Sequence, residues 1–212
     1  VLITSRKTED APDELRELKK LEKAQAEEVF RHYSKIAGDD ANVAGICKEL
    51  GGWPVALRIA GRYLRRTKES TADYLQWLAQ DPFKELGSGK HEEENMALLL
   101  RRSVAQVSSD ARLALGVATM RIPWGVLPWG SFAWGGGASS LTRKPVAAIL
   151  DNDERRARNA LNELVNYGLV EKSEERWQIS HALIHTYVRT ELALSQEDRN
   201  RVIAWYRSCH TA

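Results

Sequence analysis

Several groups of residues in this chain have types and spacing that could do chemistry. Gly87-Ser88-Gly89-Lys90 has the glycines and lysine of a phosphate loop, in which amides cradle phosphate and a hydroxyl binds magnesium. That loop needs a glycine where Lys84 stands and a Ser or Thr where His91 stands, so the pattern fails. His181 and His185 share the i, i+4 spacing of zinc-protease ligands, but Ala182 occupies the position of the Glu that would act as base. No metal is expected there, and His181 reads first as a helix-start residue satisfied by backbone. Arg155, Arg156 and Arg158 open a helix that could enter a DNA groove. Glu154 and Glu163 share that helix, and the following turn, Glu171-Lys172-Ser173-Glu174-Glu175-Arg176, holds three acids against two bases. A solvated or protein-packed face is the expectation. No Ser-His-Asp, Cys-His or paired-carboxylate grouping stands out, so no catalytic centre is expected.

Composition narrows the classes further. The 212 residues are 43% hydrophobic and 28% charged, enough to bury an ordinary core, which excludes a disordered tail. Lys plus Arg total 31 against 29 Asp plus Glu, so no net field drives the chain onto nucleic acid or anionic lipid. Two distant cysteines, Cys47 and Cys209, read as free thiols and fit a reducing compartment. With no apolar run of spanning length and no signal-peptide pattern, a soluble, cytoplasmic chain without membrane contact is expected.

The elements that would position these residues follow from periodicity. Val-Leu-Ile-Thr at positions 1 to 4 reads as a doubly buried parallel strand, which predicts that residues 1–10 are the last strand of a truncated sheet domain. A helical domain is expected over 11–86. Its first helix carries Ala26, Val29, Phe30, Tyr33 and Ile36; its second carries Val43, Ile46 and Leu50 and stops at a left-handed Gly51-Gly52 cap. Pro54 suits the first turn of the third, whose inner stripe of Ala56, Leu57, Ala60, Gly61 and Leu64 permits close helix approach. The fourth has Thr71 as its cap and Tyr74, Leu75 and Leu78 inward.

Residues 87–94 read as a linker, and a winged-helix domain is expected over 95–192. In it Asp153 caps a helix ended by Gly168, and two short strands at 169–171 and 177–179 make the wing. The stretch 123–137, with Trp124, Trp129, Trp134 and three glycines, reads as a packed loop. Residues 193–212 begin a further helical region. The fold class is therefore mainly α: a four-helix bundle-like domain followed by a winged-helix domain with a short β-hairpin wing.

Together these pieces resemble the C-terminal half of an NB-ARC module, the nucleotide switch of the STAND class of P-loop ATPases that includes apoptotic adaptors and plant resistance proteins. Val-Leu-Ile-Thr-Ser-Arg at 1 to 6 is similar to that family's sensor strand, which ends in an Arg near the γ-phosphate. Gly51-Gly52-Trp53-Pro54-Val55-Ala56-Leu57 resembles its Gly-Leu-Pro-Leu signature, where the Pro packs near adenine. Ser180-His181-Ala182 stands in the place of its Met-His-Asp motif, whose His reaches the β-phosphate of ADP.

The resemblance implies that Arg6, Gly52, Trp53, Pro54 and His181 line ADP or ATP, with magnesium in the full-length protein. It further implies a missing N-terminal P-loop domain, a C-terminal repeat or sensor domain, and homo-oligomerisation on activation in defence, cell death or bacterial regulation. Ala182 departs from the motif's acid and Trp53 from its smaller Leu. Lacking the phosphate loop and the magnesium-binding acids, the 212 residues alone are expected to bind nucleotide poorly and hydrolyse none. The alternatives are a winged-helix DNA-binding transcription regulator, although nucleic acid is not the expected partner, and a structural protein-interaction module.

Overall fold

A computed structural model describes residues 20–79, 92–120 and 140–209, except the side chains of 92–95 and 140. The expected strand at 1–4, Arg6, residues 87–91 and the Trp-rich stretch 123–137 lie outside them.

Four helices come first: α1 (Lys23–Ser34), α2 (Ala41–Glu49), α3 (Pro54–Thr67) and α4 (Thr71–Ala79). α3 is the central one. Its small-residue stripe is buried as expected, with Ala56, Leu57, Ile59, Ala60, Gly61, Tyr63 and Leu64 all inside. Phe30 of α1, Ile46 of α2 and Leu78 of α4 are fully buried in the same core, each stabilising it by about 1.5–3 kcal/mol. Left-handed residues end α1 and α3: Lys35 has φ 58° and Lys68 φ 59°.

Thr71 does not cap α4. Ser70 does so, one residue earlier: its Oγ accepts the Asp73 N–H at 3.1 Å and donates to the Asp73 carboxylate at 2.6 Å. The Thr71 hydroxyl instead donates to Asp40 at 2.6 Å and accepts from Asn42 at 3.2 Å, joining the starts of α4 and α2. Above all, that hydroxyl holds the Asp40 carboxyl below the ordinary carboxylate range.

The second half contains α5 (Glu92–Ala105), α6 (Ser109–Thr119), β1 (Ser140–Leu141), α7 (Arg143–Ile149), α8 (Glu154–Asn166), β2 (Val170–Ser173), β3 (Arg176–Ile179), α9 (Ala182–Glu191) and α10 (Gln196–Ser208). Residues 92–94, expected in a linker, open α5 instead: three glutamates suit a first helical turn, whose end is partly positive.

The order α6, β1, α7, α8, β2, β3 is that of a winged helix. Its sheet is antiparallel with strand order β1-β3-β2, pairing Leu141 with Trp177 and Val170 with Ile179. Only the hairpin was expected; β1 has two residues, too few to show alternation. β3 alternates strictly, with Trp177 and Ile179 inward. As expected, Asp153 caps α8, accepting from the Arg155 and Arg156 N–H groups at 2.8 and 3.0 Å.

α5 packs on both α3 and α9, so one helix touches both halves. α10 lies on α7 with Val202 buried, which makes it part of the winged unit's packing. Both cysteines are free; Cys47 is buried and Cys209 exposed. Burial pushes the Cys47 thiol up to about 11, which suits a packing role rather than reactivity. No helix among the described residues is long and apolar enough to cross a membrane.

Candidate functional site

The turn that leads into α3 is built by backbone. α2 ends at Glu49 with Leu50 as its C-cap, and Gly51 and Gly52 follow with φ 63° and 68°, the left-handed region that favours glycine. Gly52 N–H donates to the Cys47 carbonyl at 3.2 Å, and its own carbonyl accepts from Leu21 N–H at 3.2 Å. A Cβ on Gly52 would lie 2.7 Å from the Leu21 carbonyl oxygen. We therefore expect Gly52→Ala to cost about 2 kcal/mol, from the φ penalty and the displaced segment before α1. Chemical denaturation would show it; an unchanged midpoint would contradict this geometry.

Trp53 follows as the N-cap of α3, in extended backbone and half-buried, with no side-chain hydrogen bond to the helix end. Its ring carries the Lys20 ammonium 5.0 Å from the ring centre. Pro54 is exposed at the first helical position, where its missing N–H costs nothing. An aromatic face and a proline thus stand together at the start of α3.

His181 caps α9. Its backbone is extended, and its Nδ1 accepts the Leu183 N–H at 3.2 Å, so the neutral ring carries its proton on Nε2 as a donor. The plain helix-start role read from sequence is thus filled. Ser180, the residue before it, donates its hydroxyl to the Gly168 carbonyl at 3.0 Å and its N–H to the Leu169 carbonyl at 3.5 Å.

That Gly168–Leu169 corner also meets α3. A Cβ on Gly168 would lie 3.0 Å from Arg62 Cδ. Arg62 donates to the Val165 carbonyl, and Arg58 pairs with Glu171. One corner therefore joins the helix that begins at Trp53-Pro54 to the strand exit that leads into His181. Arg6, the remaining sequence candidate, lies outside the described residues. Arg58, Arg62 and Glu171 were not singled out from sequence. The signal available was the fourfold spacing of Arg58, Arg62 and Arg66, which puts three cations on one face of α3.

The face of α8 is mixed in charge. Arg156 binds both Asp110 oxygens at 2.9 and 3.0 Å and Asp151 at 3.1 Å. Arg143 pairs with Glu175 at 2.9 Å on the rim of a cleft of about 290 Å³ between α8 and the wing. No cluster of three or more potential metal-ligating acids, histidines or cysteines forms among the described residues. No protein-family model matches the chain, and no curated protein matches it.

Proposed function

We propose that this chain is the regulatory half of a STAND/NB-ARC signalling ATPase, which holds ADP at rest and rearranges on ATP exchange to permit oligomerisation. The observation that carries this reading is the shared corner: α3, with Trp53-Pro54 at its start, abuts the same Gly168–Leu169 segment that anchors the residue before His181. In this reading Trp53 and Pro54 supply apolar contact to the base, and His181 Nε2–H donates to a phosphate of ADP, aided by the positive end of α9. Gly52 holds the turn that presents them. Arg6 would read the γ-phosphate from a sheet domain upstream, which would also supply the phosphate loop and bind magnesium.

Two lobes that share one ligand form a switch when their two arrangements differ in affinity for ADP and ATP. The chain alone would then hydrolyse nothing, and the assembled protein would act in the cytoplasm as a signalling scaffold with a C-terminal repeat or sensor domain. Ala182 in place of the motif's acid implies that the resting form is held by contacts other than that carboxylate.

Isothermal titration with ADP tests this reading. A protein extended through the upstream sheet domain is expected to bind, and His181→Ala to weaken binding by about tenfold, the loss of one charge-assisted hydrogen bond. Submicromolar binding by the 212 residues alone, or unchanged affinity in His181→Ala, would refute it.

A further inference from the structure

Arg58, Arg62 and Arg66 recur at every fourth position of α3, and each meets the winged unit at its own point. Arg58 reaches across to Glu171 on β2. Arg62 donates to the Val165 carbonyl in the last turn of α8, an oxygen that also accepts the Gly168 N–H at 3.1 Å and lies at the partly negative end of that helix. Arg66 stands 6.0 Å from the ring centre of Tyr167, the C-cap of α8. Gly168 supplies the room: its bare Cα lets the Arg62 stem pass. The ladder thus complements the end of one helix and the acid on the adjoining strand.

The same ladder is loaded against itself. Arg58 has a side chain only 13% exposed, and its Nε is buried with no acceptor among the described residues. Burial, and after it the charge of Arg58, destabilises the protonated form of Arg62. Two cations one turn apart therefore share a desolvated seam, held by one carboxylate and one carbonyl. Opening the seam would return both guanidinia to water, which offsets part of what the contacts contribute.

We propose that the ladder is a releasable latch, which holds the winged unit against α3 in the arrangement seen and must let go for that unit to rotate. Its part in the switch rests on the function proposed above; its part in holding the two units does not. The latch accounts for what holds a resting form in a chain with Ala182 where the resembled motif has an acid.

Pulsed electron resonance on the intact 212-residue chain tests it without nucleotide. Spin labels go on Gln76→Cys, exposed on α4, and Ser173→Cys, exposed on the wing, in a Cys209→Ser background. The parent is expected to give one narrow distance distribution. Arg62→Met and Glu171→Arg should each shift it to longer, broader values with circular dichroism unchanged, and Arg58→Glu with Glu171→Arg should restore the narrow peak. Glu171 is 46% exposed, so its replacement reports even where Arg62→Met fails to fold. A narrow peak that survives Glu171→Arg, or a broad one that the double exchange does not restore, overturns the latch. Failure of ADP to bind would refute the nucleotide reading and leave this result standing.

Discussion

Replacing Arg102 by Ala is expected to lower the stability of the chain by about 3–5 kcal/mol, the cost of leaving a partly buried carboxylate without its partner. Arg102 projects from α5 into the first half of the molecule. Its Nη2 binds both oxygens of Glu69 at 2.7 and 2.9 Å, and its Nε donates to the Tyr63 hydroxyl at 3.0 Å. The guanidinium carbon also lies 4.0 Å from the Trp77 ring centre, 5.1 Å from Tyr63 and 5.2 Å from Tyr74. Arg102 and Glu69 are 22% and 20% exposed, so solvent screens the pair only partly.

Truncation would empty an aromatic cage, strand the Glu69 charge and loosen the joint between α5 and α3. Arg102→Lys keeps the charge but loses the fork and the flat stacking surface, and should cost about half as much. Urea denaturation of Arg102→Ala, Glu69→Ala and the double variant gives the coupling directly. Additive losses would mean that the two side chains do not support each other.

Gly61→Leu is expected to cost about 3 kcal/mol or more, because it forces α1 and α3 apart along their whole contact. A Cβ on Gly61 would lie 3.0 Å from Tyr33 Cβ, 3.1 Å from the Phe30 carbonyl oxygen and 3.1 Å from Ser34 N. Two of those neighbours are backbone, so no rotamer change relieves the crowding. Gly61→Ala combines a smaller intrusion with a helix-propensity gain of about 1 kcal/mol, and its net effect should be far milder. The contrast between Ala and Leu separates steric crowding from helix preference. Thermal melting would record it, and equal melting temperatures for the two variants would show that the helices do not meet so closely.

The sequence showed the close approach of α3 because a run of Ala and Gly at helical spacing has few other uses. It also located the α8 cap at Asp153, the left-handed Gly51-Gly52 turn and the helix start at Pro54, each a matter of neighbouring residues. The α4 cap was misplaced by one residue because Ser70 and Thr71 both bear hydroxyls; which of them turned toward the helix depended on Asp40, far back in the chain. β1 escaped notice because a two-residue strand exists only through its pairing with β3. On the candidate site, Trp53, Pro54 and His181 were visible as residues at helix starts. Their relation to a common corner was not, since it depends on Arg62 and Gly168.

The treatment of Glu171 shows the division most plainly. Read along the chain, it was one of three acids on a face expected to be solvated or packed on protein, with no partner named; in the fold it is the partner of Arg58, 113 residues away. Helices, caps and turns were determined by the sequence itself, because hydrogen bonds and apolar spacing within a few residues decide them. Only the tertiary structure decided which charges meet, because an ion pair requires two remote segments to be held within a few ångströms, and the packing of α3, α5 and α8 does that.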